Sequence, residues 1–236
     1  GLGLDGCLVC VGDGSDCPLS FSSAPVQFRQ VEEHQGVGSM AAAMIRYPWF
    51  NELIYRIDKL VHCQPLVIIA IDGSSGAGKT ELAEQLREHY DANLFHMDDF
   101  FLQPHQRTEA RLAEIGGNVD YERFKGEVLE RIGLTKGFAY QKYDCSQGRL
   151  TDYVYVEPKP VNIVEGVYSM HPTLIGSYHF KVFLTVSRDL QLKRIGMRSG
   201  EVLLERFIKE WIPKEHAYFR HFGVQEQADV VIDTSR

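Results

Sequence analysis

From Met44 to Val61 the apolar residues Ile45, Trp49, Leu53, Ile54, Ile57, Leu60 and Val61 recur at steps of three and four. That is the spacing of an amphipathic helix with one face against a core. After Pro65 the pattern changes to an unbroken apolar run, Leu66-Val67-Ile68-Ile69-Ala70-Ile71, rich in β-branched residues. Such a run predicts a strand buried on both faces. Further strands are predicted over Asn93 to His96, Val161 to Val164, Lys181 to Val186 and Asp229 to Ile232, with helical patterns between most of them. The alternation predicts an α/β fold: a largely parallel sheet of about five strands flanked by helices.

The first 39 residues do not share this order. They are rich in Gly, Ser and Asp, carry Cys7, Cys10 and Cys17, and hold no sustained helical or strand period. Residues 1–39 therefore read as a leader or tag-derived segment outside the fold, with a scar-like Gly38-Ser39-Met40 junction and Met40 or Met44 as native starts. The folded domain is expected over 40–236. Cys7, Cys10, Cys17 and His34 offer four potential zinc ligands, but their spacing matches no zinc module. Five cysteines, an odd count with Cys63 and Cys145 far apart, do not suggest a disulfide framework.

Composition narrows the function classes. A net charge of -7 argues against a protein built to grip nucleic acid, which needs a basic face. No stretch approaches the roughly 20 consecutive apolar residues of a membrane-spanning helix. With 44% hydrophobic and 24% charged residues, the chain reads as a cytoplasmic globular enzyme, and a homo-oligomer remains open.

Directly after the first predicted strand stands Gly73-Ser74-Ser75-Gly76-Ala77-Gly78-Lys79-Thr80. It satisfies the P-loop pattern G-x-x-x-x-G-K-[ST] at every fixed position. The glycines let the backbone curl so that several N–H groups face one anion, and the following helix turns its positive end to the same place. Lys79 is expected on the β- and γ-phosphates of ATP and the Thr80 hydroxyl on Mg²⁺. Leu82, Ala83 and Leu86 supply the buried face of the helix behind the loop.

A P-loop alone does not separate a kinase from a GTPase, an ATPase or a nucleotide switch. The second predicted strand ends in His96-Met97-Asp98-Asp99-Phe100-Phe101 and the third in Glu165-Gly166-Val167-Tyr168. Both place acids at the carboxyl ends of strands, where ligands of an α/β sheet collect. A carboxylate there can take the proton of an attacking hydroxyl or help hold a metal.

These segments, with Ile71 to Leu86 and the stretch Gly116-Gly117-Asn118-Val119-Asp120-Tyr121-Glu122-Arg123-Phe124, resemble the uridine kinase and phosphoribulokinase superfamily, and its bacterial uridine-kinase-like branch in particular. The likeness runs from about Leu66 to the end of the chain. It implies an ATP- and Mg²⁺-dependent kinase acting on the hydroxyl of a small molecule, most simply a nucleoside. Asp98 would be the general base with Asp99 as the fallback, and Asp98 and Glu165 would support the metal together with Thr80.

Between the second and third strands lie roughly 60 residues, too long for a bare connection and expected to form a helical acceptor-site insertion over about 100–160. Here the resemblance assigns Asp120 to ribose hydroxyls and Tyr143-Asp144 to the neighbourhood of the base. Familiar nucleoside kinases carry an aromatic and then a His shortly after Tyr-Asp; this chain has Cys145, Ser146, Gln147 and Gly148. A sugar, a vitamin such as pantothenate, or a modified nucleoside therefore stays open as acceptor. Arg107 and Arg111, four apart, form either a site for an anionic acceptor or a solvated charged face.

Ser187 as a helix cap, Asp189 in the first turn and Gly200 as a stop predict a short lid helix over about 187–200. Arg194 and Arg198 share its face and are the candidate lid arginines for the transition state. His216 and His221 are read as packing or surface residues, since this chemistry needs no histidine. A GTPase would show Asn-Lys-x-Asp, which the sequence lacks. A non-catalytic ATP-binding regulator is the rival from outside enzymology.

Overall fold

The structure is a computed structural model that describes residues 26–29 and 48–235. The zinc-ligand candidates Cys7, Cys10, Cys17 and His34, the native starts Met40 and Met44, and the first turn of the predicted helix lie outside the described residues.

Strand β1 is Val26–Arg29. Helix α1, Pro48–Cys63, follows, with Trp49, Phe50, Leu53, Ile54, Ile57 and Leu60 buried on one face as the period predicts. Then come β2 (Val67–Gly73), the P-loop, α2 (Lys79–Tyr90) and β3 (Asn93–His96). The insertion carries the short helices α3 (Glu109–Ala113) and α4 (Tyr121–Phe124), then the strands β4 (Phe138–Asp144) and β5 (Arg149–Val156). The chain returns through β6 (Val161–Glu165) and β7 (Phe180–Thr185), continues in α5 (Arg188–Arg206) and α6 (Ile212–Phe222), and ends in β8 (Val230–Asp233).

The main sheet has the order β1-β8-β7-β2-β6-β3, and every pairing is parallel. Five of its strands are the five read from the sequence. The sixth, β1, comes from the segment expected to lie outside the fold. Its register Val26↔Val230 to Arg29↔Asp233 satisfies the edge of β8, which would otherwise present a row of unpaired backbone groups.

Strand β2 is central and buried along its whole length. Val67, Ile69 and Ile71 join the layer built with α1 and α2, while Ile68 and Ala70 join the opposite layer built with the insertion and α6. This is why its sequence reads as a continuous apolar run: alternate side chains face two different cores.

The insertion departs from the helical expectation in its second half. Strands β4 and β5 form a separate antiparallel hairpin with an irregularity between Gln141 and Tyr143. Tyr140 and Val156 turn their side chains to the core, while Tyr153 and Tyr155 on β5 are exposed. That half-buried alternation, broken by a bulge, is weaker in sequence than a doubly buried strand.

The short helix expected over about 187–200 runs on to Arg206 and is interrupted at Gly200. Gly200 has φ 77° and ψ 170°, non-helical values inside Arg188–Arg206. The segment therefore consists of two helices that meet at a kink. Among the described residues no helix is long and apolar enough to cross a membrane.

His171 packs between the insertion and α6, 4% exposed, with its ring stacked 4.0 Å from that of Tyr121 and edge-on to Phe222, and among the described residues its Nε2 has no hydrogen-bond partner. Burial pushes its pKa down to about 4, below the ordinary 6.5. Between these values the unfolded chain binds a proton that the folded chain refuses, so this residue costs stability as pH falls from 6.5 towards 4. Urea melts of His171→Phe should show a shallower acid loss than the wild type across that window. Parallel curves would mean that His171 is not held neutral.

Candidate active site

The carboxyl ends of β2, β6 and β3 meet at one edge of the sheet. Register pairs Ile71 with Glu165 and His96 with Glu165, so β6 delivers Glu165 between the P-loop strand and the Asp98 strand. The loop itself starts at Gly73, with φ 132° and no room for a side chain: a Cβ there would lie 2.1 Å from the Leu184 carbonyl oxygen. Only glycine fits this turn out of the sheet.

Lys79 is folded back into the loop, donating to the carbonyls of Gly73 (2.8 Å) and Ser74 (3.0 Å). Gly78 at φ 90° precedes the first turn of α2, whose Leu82, Ala83 and Leu86 are buried behind the loop. The Thr80 hydroxyl donates to Glu165 Oε1 at 3.3 Å. The same oxygen lies 2.6 Å from His96 Nδ1, and this hydrogen bond, before any other influence, raises the His96 pKa. Glu165 is 6% exposed, so its charge acts at close range in a site of reduced dielectric.

Asp98 opens a single turn of 3₁₀ helix, Met97–Phe100, that follows β3. Its side chain borders the cleft and remains reachable by solvent, although protein atoms crowd round it. Loss of solvent there, then the negative charge of Glu165, raise its pKa above the ordinary 3.8, while Lys79, His96 and Arg198 act in the opposite sense.

Gly76, Gly78, Lys79, Thr80, Asp98, Glu165, Arg194 and Arg198 all line one cleft of about 820 Å³. Arg194 lies against the loop, donating to the Gly76 carbonyl (3.2 Å) and to Thr234 (3.1 Å). Arg198 is exposed near the kink, donates to Ser199 Oγ at 3.4 Å and lies 5.9 Å from the centre of the Phe207 ring. Guanidinium groups so placed can neutralise charge on a transferring phosphoryl group.

The other residues singled out in the sequence hold up the walls of the cleft. Asp120, 2% exposed, caps α4 by accepting from the Arg123 backbone N–H and accepts a second bond from Gln106 Nε2 at 2.8 Å. Asp99 pairs with Lys142 at 3.0 Å. Tyr143 is buried beneath Arg107, which donates to its hydroxyl at 3.1 Å. Asp144 organises the hairpin turn by accepting from Ser146 and Gln147. None of the four lines the cleft. Arg111 is held by Glu122 through both terminal nitrogens at 2.7 Å and by three further acceptors, so it is neither a solvated face nor free for a ligand.

Three residues that the sequence did not single out lie against the P-loop. Glu215 of α6, 3% exposed, accepts from the Ser75 backbone N–H at 3.1 Å and from its hydroxyl. Gln191 of α5 donates to the Ser75 carbonyl at 3.0 Å, so the third position of the P-loop is clamped by two buried side chains. Asp72, fully buried, accepts from the backbone of Gly73 and Met170 and from the Tyr218 hydroxyl, and burial pushes its pKa up to about 6. Glu215→Ala should weaken nucleotide affinity roughly 10-fold, with Glu215→Gln recovering most of it because an amide oxygen still accepts from Ser75. Unchanged affinity in the alanine variant, measured by calorimetry, would show that the loop holds its shape without this contact.

No protein-family model matches the chain. A uridine kinase of Bacillus mycoides is 30% identical over 146 residues, covering 57% of this chain and 68% of that protein. A shikimate kinase of Stenotrophomonas maltophilia is 25% identical over 170 residues, 72% of this chain and 84% of its own length. Among solved structures, a possible uridine kinase from Bacillus stearothermophilus superposes with a TM-score of 0.56 at 22% identity, covering 77% of this chain and all of that one, which attests the fold.

Proposed function

The chain belongs to the uridine kinase and phosphoribulokinase superfamily of P-loop kinases, and from that premise we propose how it acts as an ATP-dependent small-molecule kinase. The γ-phosphoryl group moves in line to an acceptor hydroxyl; the O–H bond breaks as the new P–O bond forms, and ADP leaves. Asp98 takes the hydroxyl proton. Lys79, Arg194 and Arg198 offset the charge that spreads over the phosphoryl oxygens. The observation that carries this reading is Asp98 itself, a carboxylate with a raised pKa, facing the same cleft as the P-loop lysine.

The donor set suits Mg²⁺, which takes hard oxygen ligands and keeps several waters. Thr80 Oγ1 would bind it directly and Glu165 through water, the second Glu165 oxygen being the one not engaged by Thr80 and His96. Bound with ATP, the ion would neutralise charge on the β- and γ-phosphates.

A nucleoside is the acceptor that the uridine kinase relatives support. The second reading, a hydroxy acid or other non-nucleoside alcohol, is favoured by the comparable likeness to a shikimate kinase and by Cys145-Ser146-Gln147-Gly148 after Tyr143. ADP release measured with uridine, cytidine, ribose, shikimate and pantothenate tests both. Stimulation by uridine or cytidine supports the first reading, stimulation by ribose, shikimate or pantothenate supports the second, and stimulation by none of them would favour a nucleotide-binding regulator.

A further inference from the structure

Around the cleft and its walls most cations are already spoken for. Arg206 and Lys214 pair with Glu210, Arg111 with Glu122, Arg123 with Glu127 and Lys142 with Asp99. Lys79 and Arg194 are held on the carbonyls of the P-loop. Arg107 differs. It lines the cleft from the insertion side and is exposed, and among the described residues no carboxylate lies within ion-pair distance of it.

Its guanidinium is nonetheless fixed. Nε donates to the Leu102 carbonyl at 3.0 Å, Nη2 donates to the Tyr143 hydroxyl at 3.1 Å, and the group lies 5.7 Å from the centre of the Tyr143 ring. Both acceptors are neutral. They orient the charge without cancelling it, and among the described residues Nη1 meets no protein acceptor. Leu102 follows directly on the Asp98 turn, and Cys145, which lines the cleft, lies within electrostatic reach of both Asp98 and Arg107. Arg107 therefore stands at the hydroxyl-accepting end, apart from the phosphate loop.

We propose that Arg107 binds an anionic group of the acceptor, a carboxylate or a phosphate monoester carried by the same small molecule that bears the reacting hydroxyl. This rests on the kinase reading above and narrows its acceptor class. An oriented guanidinium with spare N–H donors is the side chain best matched to such oxoanions, and a neutral alcohol would offer that charge no counter-ion. Tyr143, buried, acts as a positioning residue for Arg107 and need not touch the acceptor.

Calorimetric titration of the ADP-saturated full chain with matched pairs tests this: shikimate against methyl shikimate, pantothenate against pantothenol, and uridine 3′-monophosphate against uridine. In at least one pair the anionic member should bind roughly 10- to 100-fold more tightly, the usual range for hydrogen bonds to a charged group. Arg107→Gln should abolish that preference and Arg107→Lys retain part of it. Tyr143→Phe should weaken it less than Arg107→Gln does. ADP affinity of each variant reports whether the phosphate loop is intact. Equal binding within every pair, absence of binding by all members, or a preference that survives Arg107→Gln would overturn the assignment. ADP release is scored separately: an anionic ligand that binds through Arg107 but draws no ADP from ATP would leave this assignment standing and count against phosphoryl transfer to that ligand.

Discussion

Asp98→Asn is expected to lower turnover by about 100-fold or more while ATP affinity stays close to that of the wild type. Asn keeps the shape of the side chain but cannot take the hydroxyl proton, and among the described residues Glu215, Gln191 and Arg194, rather than Asp98, hydrogen-bond to the P-loop. The pH profile adds a second readout. The base works only when deprotonated, so kcat should rise with pH through a limb set by Asp98. The protein atoms crowding the carboxylate, then the neighbouring Glu165, put that limb above the ordinary carboxylate range. The limb should vanish in the Asn variant. Comparable turnover, or an unchanged limb, would remove Asp98 from proton transfer.

Lys79→Ala is expected to act at a different stage, lowering kcat/KM for ATP by about 1000-fold. The ammonium is lodged within the loop, against the carbonyls of Gly73 and Ser74. Its loss removes a charge that would meet the phosphates both on binding and as transfer proceeds. The variant should fold, because Ala is a good helix former at the start of α2 and the buried contacts of Leu82, Ala83 and Leu86 remain. Steady-state kinetics over an ATP series would separate the effects. A loss confined to kcat with an unchanged KM would mean that Lys79 is not used in binding.

The part of this molecule that was legible in its sequence is the part governed by local period. Val67 to Ile71 and Val161 to Val164 could be read as strands because both of their faces are buried, and Gly200 marked a helix break because its backbone takes a φ that favours glycine. The P-loop was legible because its chemistry needs a fixed spacing. The hairpin of β4 and β5 was not, since its pattern is half-exposed and interrupted between Gln141 and Tyr143.

Glu215 and Asp72 escaped for a different reason. Glu215 meets Ser75 across 140 residues, and Tyr218 meets Asp72 across 146. Each of these two contacts exists only because the fold brings the partners together, and no window of sequence contains both. The same limit applies to the two arginines four apart in the insertion. Only the structure separates Arg111, saturated by Glu122 and neighbouring carbonyls, from Arg107, which is oriented yet keeps its charge.

The central claim is transfer of the γ-phosphoryl group from ATP to a hydroxyl of a small molecule. The most direct test follows ADP, inorganic phosphate and phosphorylated acceptor together in one reaction, using whichever alcohol stimulates ADP release. The expected result is one phosphorylated acceptor for each ADP formed, with inorganic phosphate at the level of the acceptor-free control. ADP matched by inorganic phosphate, with no phosphorylated alcohol, would contradict it.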